Sequence, residues 1–241
     1  MAVQLSVIVP CLNEEESMPL LVERMEPVIS GVFAGNAELI AVDDGSTDRT
    51  WPVMQELSEC YSFLKPHRHG KNRGLSEAWW TGAKAARGET ICTLDADLQY
   101  RPEEIERLYT ARFESGVDIV QGTRIRNDQK FDSRYLLSRG LNSLLNVLFD
   151  MSLDDNKSGF LFCGRDCFLD LLEGRHGFRY FQALVMVAAQ ARGYSYCSLP
   201  TPFDKRAAGK SFLGSLPLRV TSGVTVDLCR AFVRYRLRGG L

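Results

Sequence analysis

The 241-residue sequence has only three histidines, and none of its seven cysteines form a C-x-x-C pair. Structural zinc sites are built on such spacing. The closest pair, Cys163 and Cys167, has neither the spacing nor histidine partners. An odd number of thiols cannot pair completely within one chain, and they read as buried reduced thiols of a cytoplasmic protein. Neither G-x-G-x-x-G nor G-x-x-x-x-G-K-[ST] occurs, so dinucleotide redox chemistry and phosphate-loop ATPase chemistry both lose ground. Long apolar runs are also missing. The stretch from Tyr180 to Ala191 falls far short of the roughly 20 residues that span a bilayer. The first residues run straight into a strand-like segment with no basic region ahead of it, so no secretory signal is expected.

What is present fits one α/β domain: 45% hydrophobic and 24% charged residues over a length that can bury a sizeable core. The net charge of −1 conceals an asymmetry. Residues 205–241 hold eight basic residues against the single acid Asp227, whereas the first 204 hold 21 basic and 29 acidic residues, a net −8. A basic tail on an acidic body implies an anionic partner for the tail. We therefore expect a domain over residues 1–205 and, over 206–241, a loop followed by a basic amphipathic tail.

Strand-like and helix-like segments alternate, as in a mostly parallel central sheet flanked by helices. The buried-strand candidates are Leu5 to Pro10, Glu38 to Val42, Thr90 to Leu94 and Asp118 to Gln121. Between them, Asp48 is placed to cap a helix running toward Cys60. Pro102 suits a first helical turn, with Glu103 and Glu104 at its positive end.

In such sheets ligands collect at the carboxyl ends of the strands. Pro10, Asn13 and Glu14 follow one strand, and Asp43, Asp44, Gly45 and Ser46 follow another. Asp95, Ala96, Asp97, Leu98 and Gln99 follow a third; Gly122, Thr123 and Arg124 follow a fourth. Asp95 and Asp97 can aim two carboxylates at one point, with Gln99 adding a neutral oxygen. Hard oxygen ligands of this kind suit Mg²⁺ or Mn²⁺ bridging to substrate phosphates. An isolated D-x-D can equally cap a helix. Asp43 and Asp44 at the same edge change the balance, since four crowded carboxylates repel without a cation. An aspartate in the Asp43–Asp44 turn can also accept bonds from a base N–H or a ribose hydroxyl.

In order along the chain, Val9-Pro10-x-x-Asn13-Glu14-Glu15, Val42-Asp43-Asp44-Gly45-Ser46-x-Asp48, Asn72-x-Gly74-Leu75 and Asp95-Ala96-Asp97-Leu98-Gln99 resemble glycosyltransferase family 2. Within it the chain resembles the dolichyl-phosphate mannose synthase and polyprenyl-phosphate glycosyltransferase branch, over about residues 5–212. Gly122-Thr123-Arg124 matches a family G-S-R. Ser138-Arg139 with Asn142-Ser143 matches a helix start that helps bind the acceptor phosphate, and Asp155 through Ser158-Gly159-Phe160 matches D-x-x-S-G-F. Phe203-x-x-Arg206-x-x-Gly209-x-Ser211 matches F-x-x-R-x-x-G-x-S-K, except that Phe212 stands where the lysine belongs; Lys210 or Lys205 is the substitute.

The resemblance implies a Rossmann-like fold of the GT-A type and an inverting transfer of mannose or glucose from a GDP- or UDP-linked donor to a polyprenyl phosphate, dolichyl or undecaprenyl. Asp95 and Asp97, with Gln99, would hold Mg²⁺ or Mn²⁺. Pro10, Asn13, Glu14, Asp43 and Asp44 would form the nucleotide pocket, and Arg124, Arg139, Ser143, Arg206 and Lys210 would position the acceptor phosphate. Among these, Asp95, Asp97, Arg124 and Arg206 are the catalytic group. A phosphate acceptor is already ionised and needs neutralisation and alignment, for which guanidinium forks are suited; a hydroxyl acceptor would need a base such as Asp155. The alternatives are therefore a family 2 enzyme acting on a glycan or lipid hydroxyl and a non-catalytic nucleotide-binding module that recruits partners. No nucleic-acid partner is expected, and no oligomeric state is implied.

The segment from Leu216 to Leu237 has helical periodicity, with Val220, Val224, Leu228, Ala231 and Tyr235 on one side and Asp227, Arg230, Arg234 and Arg238 on the other. It reads either as a helix closing over the domain or pairing in a dimer, or as an interfacial helix lying apolar side down on a membrane's cytoplasmic face. His67 and His69 read as surface loop residues, and Trp79 and Trp80 as packing.

Overall fold

The computed structural model describes residues 3–125, 133–206 and 218–237, with the side chains of 133–137 and 218–222 left aside. Seven strands, β1 (Leu5–Cys11), β2 (Ala37–Asp43), β3 (Leu64–Arg68), β4 (Thr90–Thr93), β5 (Ile119–Ile125), β6 (Leu161–Gly164) and β7 (Tyr196–Pro202), form one sheet in the order β3-β2-β1-β4-β6-β5-β7. The α-helices are α1 (Met18–Pro27), α2 (Thr50–Cys60), α3 (Leu75–Ala85), α4 (Glu104–Ser115), α5 (Ser133–Phe149), α6 (Arg165–Glu173), α7 (Val185–Ala191) and α8 (Leu218–Ala231). The mostly parallel α/β sheet expected from the sequence is the sheet observed. The four strand candidates all form, and β3, β6 and β7 join them.

Strands β1 and β2 read as apolar runs because helices cover both their faces. Side-chain alternation divides the core: Ile8, Ile40 and Val42 pack with Trp79, Phe168 and Phe181 on one face, while Val7, Val9 and Leu39 pack with Met18, Met54 and Phe162 on the other. The polar exceptions are paired. Ser6 donates to Glu38 at 2.8 Å, and Arg87 grips the other Glu38 oxygen through two nitrogens at 2.9 and 2.6 Å.

Register decides which loops meet. Cys11 pairs with Asp43 and Asp43 with Arg68, while Ile8 pairs with Thr93, so the segments leaving β1, β2, β3 and β4 emerge side by side. Strand β6 runs against its neighbours β4 and β5. Its reversal carries the preceding Asp155–Phe160 stretch to the same edge at which the parallel strands end.

The C-terminal helix is observed as α8 followed by a π-helical turn, Phe232–Leu237. Its apolar stripe faces the protein. Ala231 and Tyr235 are buried, Leu228 packs on the same core, Tyr235 stacks on Phe178 and Phe232 meets Phe149. Asp227, expected on the solvent side, is buried, and its Oδ2 accepts the Arg179 and Tyr180 N–H groups at 2.8 and 2.7 Å. Of the two readings of the tail, a helix closing over the domain describes this stripe. Val220 and Arg238 lie outside the side chains described. The cysteines also depart from expectation: Cys60 and Cys229 are exposed. Among the described residues no helix is long and apolar enough to cross a membrane.

Candidate active site

The β1 and β2 loops lock together through short polar side chains. Asn13 adopts φ 57°, a left-handed conformation asparagine tolerates, and donates its N–H to Ser46 Oγ at 2.9 Å. Its Oδ1 accepts the Thr47 N–H at 2.9 Å. Glu14 donates its N–H to Thr50 Oγ1, and Asp48 Oδ1 accepts from both the N–H and the hydroxyl of Thr50, tying the start of α2 to the same turn. Gly45 lies at φ 77°, and a Cβ there would meet the backbone of Lys71 and Asn72 at 2.4 and 2.5 Å. Only glycine lets the β2 and β3 loops approach so closely.

The two consecutive aspartates behave differently. Asp43 is fully buried; its Oδ1 accepts the Ser46 N–H at 2.8 Å, while Oδ2 lies 3.1 Å from Arg68 Nε without hydrogen-bond geometry. That buried oxygen is ion-paired with the Arg68 guanidinium but accepts no hydrogen bond among the described residues, a gap that calls for an explanation. Asp44 accepts the N–H groups of Arg73 and Gly74 and faces His69 Nδ1 at 2.6 Å. His69 is therefore a buried member of this corner, contrary to its reading as a surface residue. Histidine spacing gave no signal of this, because the contact depends on how far β3 extends before its loop turns.

At the end of β4, Leu98 takes φ 59°, a costly conformation for a branched side chain, and turns the chain between Asp97 and Gln99. Among the described residues no donor hydrogen-bonds Asp95. Burial, then the adjacent Asp97 charge, pushes the Asp95 carboxyl up to about 6, opposed by Arg124 and Arg206. The turn is zipped to the segment after β7: Asp204 donates its N–H to the Gln99 carbonyl at 2.8 Å, Gln99 Nε2 donates to the Asp204 carbonyl at 3.2 Å, and Arg101 pairs with the Asp204 carboxylate. The zipper brings Arg206 across the site, with Nη1 3.0 Å from Glu14 Oε1 and Nη2 2.8 Å from Asp97 Oδ2. Burial raises the Glu14 carboxyl, against the Ser17 hydroxyl and Arg206 that hold it down.

On the β5 side, Gly122 admits the Phe160 ring, which a Cβ would meet at 2.4 Å. Ser158 donates to the Gly122 carbonyl and bonds the buried Tyr100 hydroxyl at 2.7 Å. Arg124 reaches Asp155 through Nε and Nη2, at 2.5 and 2.7 Å, and stacks over Phe203. Burial raises the Asp155 carboxyl but Arg124 outweighs it, leaving it below the usual carboxylate range. The loop joining Asp155 to α5 is tied down by amides: Asn156 donates to Asn142 and Asn146, and Lys157 Nζ donates to the Ser138 carbonyl. Arg139 and Ser143 lie exposed one turn apart on α5, while Asn142 is buried in that network. Lys210, Ser211 and Phe212 lie outside the described residues.

Thus Pro10, Asn13, Glu14, Asp43, Asp44, Asp95, Asp97, Gln99, Arg124 and Arg206 come to one edge of the sheet. Asp95 and Asp97 fit a hard divalent ion. They supply oxygen only, burial and then the neighbouring Asp97 charge raise the proton affinity of Asp95, and an ion that bridges substrate phosphates needs no more than one or two protein carboxylates. Among the described residues no group of three histidines, cysteines or carboxylates forms a full cage.

A mostly parallel sheet with acidic loops at its carboxyl edge is the GT-A frame of nucleotide-sugar transferases. Glucosyl-3-phosphoglycerate synthase from Mycobacterium tuberculosis, solved with Mn²⁺, UDP and phosphoglyceric acid, superposes with a TM-score of 0.69 at 18% identity, covering 99% of this chain and 79% of that one. The same enzyme solved with Mg²⁺ and UDP gives 0.68 over 95% of this chain and 78% of that one, again at 18% identity. The glycosyl transferase family 2 model matches residues 6–169, and the chain belongs to that family. A dolichol-phosphate mannosyltransferase of Pyrococcus furiosus is 32% identical over 216 residues, 87% of this chain and 59% of the relative. An undecaprenyl-phosphate 4-deoxy-4-formamido-L-arabinose transferase of Photorhabdus laumondii is 37% identical over 158 residues, 63% of this chain and 46% of the relative. The chain thus spans about half to three fifths of the length of these curated relatives.

Proposed function

We propose that the protein transfers a hexose, mannose or glucose, from a GDP- or UDP-linked donor to a polyprenyl phosphate with inversion at the anomeric carbon. The observation that carries this reading is the pairing of Asp155 with Arg124. Asp155, the carboxylate the sequence offers as a base for a hydroxyl acceptor, is engaged by a guanidinium and made a weaker base. A hydroxyl acceptor needs that base, whereas a phosphate needs cations and alignment.

Pro10, Asn13, Glu14, Asp43 and Asp44 hold the nucleotide in this proposal, with Asp43 Oδ2, ion-paired with Arg68 but accepting no hydrogen bond among the described residues, offering an acceptor. Asp95 and Asp97, with the Gln99 side-chain oxygen, would hold Mg²⁺ or Mn²⁺, which when bound neutralises the diphosphate leaving group. Arg124 uses two of its five N–H donors on Asp155 and keeps Nη1 for the acceptor phosphate. Arg206, between Glu14 and Asp97, is the second cation, and Arg139, Ser143 and Lys210 complete the acceptor path.

A polyprenyl acceptor brings the site to a cytoplasmic membrane face. Because the α8 stripe is spent on the domain, the surface we assign to that contact is what stays exposed: Leu144 and Val147 of α5 and Val226, Val233 and Leu237 of the tail, beside Arg230 and Arg236. Basic side chains contribute about 1 kcal/mol each near an anionic leaflet. Cosedimentation with phosphatidylglycerol vesicles should fall for Val147→Asp with Leu237→Asp; sedimentation equal to the parent's refutes this face. For the reaction, GDP- and UDP-sugars are incubated with undecaprenyl or dolichyl phosphate and products read by mass spectrometry. Glycosyl-phosphoryl lipid is expected, and transfer only to hydroxyl acceptors would overturn the proposal.

A further inference from the structure

We infer that His69 is a positioning residue for the donor nucleotide, acting through Asp44 and steadied by Thr81; this rests on the reading of the β1–β2–β3 loop corner as the nucleotide pocket.

His69 follows the last residue of β3 and is 6% exposed. Its own N–H donates to the Asp43 carbonyl at 2.8 Å, extending the β2–β3 pairing one residue beyond the strands. The ring bridges two elements. Nδ1 is 2.6 Å from Asp44 Oδ1, and Nε2 is 2.8 Å from the Thr81 hydroxyl on α3. A carboxylate only accepts, so Nδ1 carries the proton in this contact, and in the neutral ring Nε2 accepts from the threonine hydroxyl. The tautomer is thereby fixed from both ends.

The consequence falls on Asp44. Its Oδ1 receives both His69 Nδ1 and the Arg73 N–H at 2.9 Å, which fills that oxygen. Among the described residues Oδ2 receives only the Gly74 N–H at 2.8 Å, keeping one lone pair. The Arg73 and Gly74 N–H groups each take one oxygen and so set the carboxylate plane; the ring, anchored by Thr81, adds a side-chain donor that ties that plane to α3. What remains at the corner is the second lone pair of Asp44 Oδ2 and the Asp43 Oδ2 atom, which is ion-paired with Arg68 but accepts no hydrogen bond among the described residues, two acceptors on adjacent residues after β2. Donor groups on a nucleoside, base N–H or ribose O–H, are the chemistry that such acceptors recognise. The same carboxylate also holds Arg73 and Gly74, and Gly45 brings Lys71 and Asn72 against the β2 turn. His69 therefore sets both the acceptor geometry and the loop that walls the pocket.

The test compares four forms of the full chain, using calorimetry with UDP and with GDP in the presence of Mg²⁺, and initial rates with the sugar donor that proves active. In His69→Asn, the side-chain nitrogen can stand near Nδ1 and keep the bond to Asp44. In His69→Gln, the nitrogen stands nearer Nε2 and leaves Asp44 unheld. We expect His69→Gln and His69→Ala to weaken nucleotide binding about tenfold, the loss of one charge-assisted bond of roughly 1.4 kcal/mol. Donor KM should rise with little change in kcat or in acceptor KM, and His69→Asn should recover most of the affinity. If the variants lose thermal stability but bind the nucleotide as the parent does, His69 is a packing group and the inference is wrong. Equal losses in His69→Asn and His69→Gln would overturn it as well, since the Nδ1 contact would then not matter. Should the larger changes fail to fold, Thr81→Val, which removes only the steadying hydroxyl, is expected to weaken nucleotide binding severalfold; parent-like affinity there counts against the inference. A parent protein that binds neither nucleotide overturns the pocket assignment itself, which separates the two failures.

Discussion

Replacing Asp155 with asparagine separates the two acceptor chemistries. The carboxylate receives Arg124 in two bonds, Nε to Oδ2 at 2.5 Å and Nη2 to Oδ1 at 2.7 Å, and Oδ1 also takes the Lys157 N–H at 3.3 Å. Side-chain exposures of 22% for Arg124 and 13% for Asp155 place the pair between two regimes. A surface pair contributes roughly 0–1 kcal/mol, while stripping one partner from a buried pair costs about 3–5 kcal/mol. Asparagine keeps the volume and one acceptor oxygen, so the loss should be near 2 kcal/mol, the scale of one hydrogen bond to a charged group. If that loss loosens the guanidinium, it appears in acceptor binding, where 2 kcal/mol is about a 30-fold rise in KM. At saturating acceptor kcat should fall by less than about tenfold, because no proton is taken from the phosphate. Loss of a general base would instead cost about 10²- to 10⁴-fold in kcat. Initial rates with the donor sugar fixed and undecaprenyl phosphate varied measure both constants. A hundredfold fall in kcat with KM unchanged would refute the reasoning and restore Asp155 as a base.

Asp97→Asn should abolish most activity with the fold intact, since it removes an anionic ligand without changing volume; EDTA should do the same to the parent, reversed by Mn²⁺ or Mg²⁺, and EDTA-resistant turnover would contradict the ion assignment. Asp227→Ala leaves the Arg179 and Tyr180 N–H groups unpartnered under α8, so a loss of about 2–5 kcal/mol is expected, with faster amide exchange in the tail; unchanged urea midpoints would show that the tail is held otherwise. Glu38 is buried, which alone would raise its carboxyl, but Arg87 and Ser6 hold it below its ordinary value. A folded-state pKa below the unfolded one contributes stability above about pH 4.3, lost as pH falls through the folded value. The stability gap between the parent and Glu38→Gln should therefore shrink between about pH 5 and pH 3, and a constant gap refutes the linkage.

The sequence by itself determined the frame. Buried strands on both faces of a sheet must be apolar throughout, so β1, β2, β4 and β5 could be read from runs such as Val7–Val9 and Leu39–Val42, and polar residues directly after them mark the sheet's carboxyl edge. The acidic pair Asp95 and Asp97 was legible for the same local reason. Strands β3 and β6 were not. β3 is an edge strand carrying Lys65, His67 and Arg68, and β6 has four residues whose direction is set by pairing with β4 and β5. Residue partnerships belong to tertiary structure alone. Periodicity placed Asp227 on the solvent side of α8, but the neighbour that covers that side, the 179–180 turn, lies nearly fifty residues earlier in the chain. His69 looked like a surface residue because burial is decided by the β2 and α3 groups that close over it. Arg124 and Asp155, 31 residues apart, meet because β6 runs backward. Local pattern fixes what each segment can be, whereas which charges neutralise one another depends on strand order and register.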